Sequence, residues 1–134
     1  MLDRRSANVI LAFSALALLD ASRFACAQTK EQKFPDIIGA KVRASGPNLF
    51  DFDVTVSSPY DTPQRYADAF RIETRDGRVL GERILFHDHQ DEQPFTRDLY
   101  GVSIPTGIAS VVIRGRDRAS GWGGKTHEVA LPGR

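Results

Sequence analysis

From residue 37 onward apolar side chains recur at every second position in short runs, and turn-forming residues separate the runs. The clearest run is 49–57, where Phe50, Phe52, Val54 and Val56 fall on one face and Asp51, Asp53 and Thr55 on the other. That period of two is the signature of a half-buried strand. Similar alternation predicts strands over 37–44, from Phe70 to Arg75, over 79–86, 95–99 and 110–118, and over 126–131. Gly46-Pro47-Asn48 reads as a turn, Asp76-Gly77 as a hairpin signal and Ile104-Pro105-Thr106-Gly107 as a tight corner. Residues 57–68 read as a loop anchored by Tyr60 and Tyr66, and Gly121-Trp122-Gly123-Gly124 as a second loop. No helical period competes with these strands. Seven strands in about one hundred residues predict a single all-β domain, a two-sheet β-sandwich.

The N-terminal pattern differs. Arg4 and Arg5 precede an apolar run from Val9 to Leu19, and Ala25-Cys26-Ala27 offers a small-residue cleavage site. This order predicts a signal peptide over 1–27, a flexible polar lead-in over 28–36 and the sandwich domain over 37–134. The run is too short to cross a bilayer, which takes ~20 apolar residues. Cys26 invites a lipoprotein reading, but Arg23-Phe24-Ala25 lacks the aliphatic residue a lipobox wants. The expected location is periplasmic or secreted, with no integral membrane segment once the leader is cut. Cleavage after Ala27 would remove the single cysteine, so no disulfide or thiolate metal site is expected in the mature part. The leader takes three basic and two acidic residues with it, leaving fifteen of each. That neutral balance argues against a general nucleic-acid binder. Eleven of the fifteen basic residues are arginine, which favours specific ion pairs.

Two resemblances add to this. Leu99 followed by Ile104-Pro105, an alternating strand, a glycine-rich loop and a last strand ending Leu131-Pro132 resemble the second half of an immunoglobulin-like or fibronectin type III module. The tyrosine usual in the strand after the proline is absent from 109–113. Such modules are mostly binding or spacing units. Four blocks, namely Tyr66-Ala67-Asp68-Ala69-Phe70, Asp76-Gly77-Arg78-Val79-Leu80-Gly81, the His87-to-Arg97 segment and Gly121-Trp122-Gly123-Gly124, resemble a functionally uncharacterised family of small secreted bacterial proteins. The resemblance implies that the His-x-His turn is the signature but brings no activity with it. Relatives often carry a proline between the histidines and a histidine before the Gly-Trp-Gly segment, where this chain has Asp88 and Ser120.

That segment, His87-Asp88-His89-Gln90-Asp91-Glu92-Gln93-Pro94-Phe95-Thr96-Arg97, holds two of the three histidines. Period two would put Ile84 and Phe86 toward the core and both imidazoles on the opposite face. Neutral imidazoles sharing a face can hold a metal, with Asp91 or Glu92 adding an oxygen. The N/O set suits copper(II), zinc or nickel better than copper(I), and calcium less well. The competing reading is a solvated acidic turn in which the histidines pair with carboxylates. His127 shares parity with Val129 and Leu131 and reads as a sheet-margin residue rather than a third ligand.

The other candidate is a sheet face bearing arginines. In immunoglobulin-like sandwiches the third and sixth strands are neighbours, which would bring Arg71 and Arg75 beside Arg114, Arg116 and Arg118. Like charges directly opposite destabilise a sheet unless acids intervene, and Glu73, Glu82 and Glu128 have suitable parity. The face would then be either a solvated ion-paired surface or a dock for an acidic protein or polyanion. Trp122 would be either a lid on the core or a contact residue on a loop at the sandwich end. Nucleophile-elbow, zincin and phosphate-loop motifs are absent, and Asp91 and Glu92 are adjacent, which faces them apart on an extended chain. The sequence thus predicts a non-catalytic exported binding protein that takes a transition metal at His87 and His89. The alternative is a metal-free protein-interaction module using the arginine face or Trp122.

Overall fold

The computed structural model describes residues 31–134; the expected signal peptide and the first residues of the lead-in lie outside the described residues. Seven strands follow in order: β1 (Asp36–Gly46), β2 (Leu49–Ser57), β3 (Ala67–Glu73), β4 (Val79–Ile84), β5 (Phe95–Ser103), β6 (Ser110–Asp117) and β7 (Gly121–Ala130). They form two antiparallel sheets, β1-β2-β5 and β4-β3-β6-β7. No helix occurs among the described residues. The expected all-β sandwich is what forms, and β3 and β6 are hydrogen-bonded neighbours.

The core is built by the alternation read along the chain. Phe50, Phe52, Val54 and Val56 of β2 meet Phe70 and Ile72 of β3 and Val111 and Ile113 of β6, all buried. Burying a large apolar side chain contributes roughly 1.5–3 kcal/mol, so this inner layer is the main source of stability. Asn48 turns between β1 and β2 with a positive φ of 58°, and Gly77 closes the β3–β4 hairpin at φ 93°. At the opposite side of that end, Ile104 is buried and its N–H bonds to the Asn48 carbonyl.

Three expectations need correction. Ile84 and Phe86 do not face the core: Ile84 pairs with Ala69 on the outer face, Phe86 is 82% exposed, and Leu85 between them is buried. The strand stops at Ile84 as Leu85 turns inward and donates its N–H to the Asp68 carbonyl, so period two does not carry through to the histidines. Second, Gly121-Trp122-Gly123-Gly124 is no loop but the start of β7. Its glycines serve close packing, for a Cβ on Gly123 would stand 2.6 Å from the Phe34 ring. Glycine inside a strand commonly marks such an approach. Third, residues 32–36 of the lead-in are docked rather than loose. Pro35 is buried, Gln32 Nε2 donates to the Ser57 carbonyl at 3.1 Å, and Arg65 donates to the carbonyl of Lys33 at 2.6 Å.

Candidate functional site

The β3–β6 pairing sets Arg71 directly opposite Arg114, and Ala69 opposite Arg116. On the next strand Trp122 pairs with Arg116, and on the other side Ile84 pairs with Ala69 and Glu82 with Arg71. The outer face of the four-stranded sheet therefore carries a continuous row, Ile84–Ala69–Arg116–Trp122, beside a second row, Glu82–Arg71–Arg114. Trp122, expected on a loop, lies on the arginine face itself, not over the end of the core. Its ring is stacked by the Arg71 guanidinium, 4.0 Å from the centroid, and the Arg116 guanidinium stands 5.3 Å away.

Two guanidinium groups set face to face need an acid between them, and the sheet provides one. Glu73, 2% exposed, accepts from Arg71 Nε at 2.5 Å and from Arg114 Nε at 3.2 Å. Arg116 donates to Asp68 at 2.7 Å and approaches Glu82 at 3.9 Å. The Asp68 hydrogen bond holds the Arg116 pKa above its ordinary value. Arg75, just past β3, pairs with Glu128, and Ser110 also donates to that carboxylate. Those two hydrogen bonds, Arg75 first, hold Glu128 below the usual carboxylate range. Glu73, Glu82 and Glu128 thus intervene as their parity implied, and Asp68 joins them. Arg118 falls beyond β6, with its guanidinium 5.5 Å from the Tyr66 ring.

The His87–Glu92 group is arranged differently from its sequence reading. His87 is exposed, with Nδ1 2.9 Å from the Asp88 carbonyl, whereas His89 is buried and only 6% exposed. The His89 ring stacks on Phe95, and the His87 ring lies 4.7 Å from it at a tilt of 36°. His89 thus lies flat on Phe95 with the His87 ring tilted against it, while a metal binds in the ring plane along a nitrogen lone pair. Glu92 is engaged by Arg97 at 2.9 Å, and that hydrogen bond lowers its pKa. Asp91 is exposed. Among the described residues no group of three or more His, Cys, Asp or Glu side chains is gathered to hold a metal ion. Within this turn His89 Nδ1 is buried without a hydrogen-bond partner, as are Tyr60 Oη and Asp117 Oδ1 elsewhere among the described residues. His127 of β7 pairs with buried Ile113 of β6, as its parity with Val129 implied.

What sequence reasoning missed is the support beneath this turn. Asp61, buried in the 57–68 loop, accepts the N–H groups of Ala67 at 3.1 Å and His89 at 3.0 Å, joining two loops. Burial raises its carboxyl pKa despite those donors. An aspartate within a Pro-rich loop is the only sequence signal of such an anchor. Asp117 closes the same end of the sandwich by accepting the N–H groups of Ala119 and Ser120. Burial pushes the Asp117 carboxyl up, but the Ser120 N–H, the Tyr60 hydroxyl and the Ala119 N–H outweigh it. The Tyr60 phenol is raised by burial first and by Asp117 next.

No family model matches the chain, and no solved structure matches it. Among curated proteins it is similar to one from Halomicrobium mukohataei described as "Putative lipoprotein", with 34% identity over 94 residues. The match covers 70% of this chain and 46% of that protein, so the chain spans about half the length of its relative.

Proposed function

We propose that this chain is an exported, non-catalytic β-sandwich module that docks a partner protein on the outer face of β4-β3-β6-β7. The observation carrying this reading is the Trp122 indole stacked by Arg71 and flanked by Arg116, with both arginines held by carboxylates. Tryptophan and arginine dominate interface hot spots. Side chains already held in place lose less conformational freedom on docking. The paired acids change the expected partner: this face carries no large uncompensated positive field, so a protein surface suits it better than a polyanion. Export is supported by the signal-like leader and by the description of the relative as a lipoprotein. The leader contains Cys26, so lipid attachment there and free release to the periplasm or exterior are the two forms of this reading.

The test is site-specific photo-crosslinking in the native host. A crosslinker at Val112, on the outer face between Glu73 and Glu128, should capture a protein, and one at Thr55 on the opposite sheet should not. Trp122→Ala should abolish that capture while the fold persists. Equal capture at both positions, or none, would remove the proposal.

A second reading keeps the metal, favoured by the unpartnered Nδ1 of buried His89 beside His87. It requires the turn to open so that nitrogens rather than ring faces converge, with Asp91 or Glu92 completing the set. Competition for copper and zinc against a chelator of known strength decides it. Sub-micromolar binding lost in both His87→Ala and His89→Ala supports it, and weak binding unchanged by either ends it.

A further inference from the structure

The geometry points to the free edge of β4 as a docking site for an extended peptide segment of a partner, added as a fifth strand beside Glu82 and Ile84. Among the described residues β4 is hydrogen-bonded to β3 on one side only and ends its sheet on the other. The register of β3 and β4 identifies which backbone groups look outward. Leu85 N–H bonds to the Asp68 carbonyl, and the ladder then runs Ala69–Ile84, Phe70–Arg83, Arg71–Glu82 and Ile72–Gly81. Bonded and non-bonded pairs alternate in an antiparallel ladder. Arg83 and Gly81 therefore bond to β3, and the N–H and C=O groups of Glu82 and Ile84 point to the free edge. Of these, the Ile84 carbonyl is met by the Arg83 side chain at 3.3 Å, a long contact that an incoming N–H can replace.

Side chains along this edge match that role. Among the large apolar side chains left exposed in the described residues, Val79, Ile84 and Phe86 all lie on β4 or its immediate continuation. The Phe86 backbone is fixed by the Tyr66 hydroxyl at 3.4 Å, so the 82% exposed ring is presented from an anchored position. Edge strands are usually blunted by lysine, proline or inward-pointing charge; β4 (VLGERI) has no lysine or proline, and its one inward charge, Arg83, is drawn across to Asp98 of β5 at 2.8 Å. The opposite side of the molecule is closed, because Phe34 packs over Gly123 and Lys125 N–H bonds to Asp36 Oδ1 at 2.8 Å.

Charge fixes the chemistry of the occupant. Glu82 shares Arg116 with Asp68, and its own contact to that guanidinium, at 3.9 Å, is the longer of the two, so a basic group at the rim can compete for its carboxylate. A strand seated here sets one outer-face side chain opposite Glu82 and one opposite Ile84, two positions apart. The matching segment is extended, with a basic residue at the first and an apolar residue at the second. Backbone hydrogen bonds would supply affinity and these two side chains selectivity. This edge adjoins the Trp122 face and shares the outer-face side chains of Glu82 and Ile84 with it, but it acts through backbone groups, so N-methylation and Ile84→Pro test it whether or not Trp122 binds anything.

The probe is a capped, dye-labelled synthetic peptide in which valine alternates with threonine, with one arginine replacing the central valine. Fluorescence anisotropy with the full chain should show saturable binding, weakened at least tenfold when alternate peptide amides are N-methylated. Ile84→Pro removes an outward donor but no β3–β4 bond, and should weaken binding at least tenfold with the melting temperature nearly kept. Should that variant misfold, Glu82→Lys serves instead: it should discriminate against the arginine peptide and prefer a glutamate version. Absence of saturable binding, or binding indifferent to N-methylation, overturns the proposal. So does a native dimer lost in Ile84→Pro, which would assign the edge to a second copy of the chain.

Discussion

The imidazole of His89 lies nearly parallel to the Phe95 ring, with centroids 4.0 Å apart and planes 10° apart. This contact holds the 85–94 turn against the first residue of β5, and the bond from His89 N–H to Asp61 holds it from the other side. A turn rich in charge is thereby anchored through a buried histidine.

Stability should fall on mild acidification because of that residue. Burial first, then Arg97 and His87, lower the His89 pKa. With the native pKa below the unfolded value of about 6.5, its contribution is complete above that pH and is lost as pH falls through the native pKa. Asp61 has the opposite sign, since its raised native pKa adds stability in acid that is lost as pH rises through it. Melting temperatures from pH 7.5 to 5 should therefore fall more steeply for the native chain than for His89→Phe. Parallel slopes would show that His89 does not carry the effect.

Glu73→Gln should destabilise the domain by about 2 kcal/mol in urea unfolding, since it strips the buried acid from between Arg71 and Arg114. The figure sits below that of a fully buried pair because both arginines are partly solvated. Arg71→Ala combined with Glu73→Gln should cost less than the sum of the two single changes. Strict additivity would mean that the cross-strand pairing is energetically idle.

Gly124→Ala should cost roughly 2 kcal/mol or more. Its φ is +85°, and an added Cβ would stand 2.1 Å from the Pro35 carbonyl oxygen. Gly39→Ala, with nothing near the added carbon, is the control and should change stability little. A Gly124→Ala chain as stable as the control would show that 32–36 can leave the sandwich without penalty.

Arg134 ties the far end together, donating to the carbonyls of Ile104, Pro105 and Ile108 and to Asn48 Oδ1 at 2.6–3.0 Å. Arg134→Ala should lower the denaturant midpoint by the equivalent of about 1 kcal/mol with the m-value unchanged. It should also speed amide exchange at Ile104, whose N–H bonds to Asn48 in the same cluster. Unaltered exchange there would separate the arginine from the corner it spans.

Alternation by itself determined the sheet content of this protein. Phe50, Phe52, Val54 and Val56 had no other face to share, and Asp76-Gly77 had no better use than a hairpin. It also placed Arg71 and Arg114 on outward positions with acids of the right parity nearby. Three-dimensional packing decided the rest, because side-chain period is a local property and these outcomes depend on distant partners. Gly121 to Gly124 looked like a loop since nothing local shows that Phe34 must pack on Gly123. His87 and His89 looked equivalent because Asp61 and Phe95, which take only His89 inside, are 28 and 6 residues away. Trp122 met Arg71 across an intervening strand, a contact that only the order β3-β6-β7 could bring about.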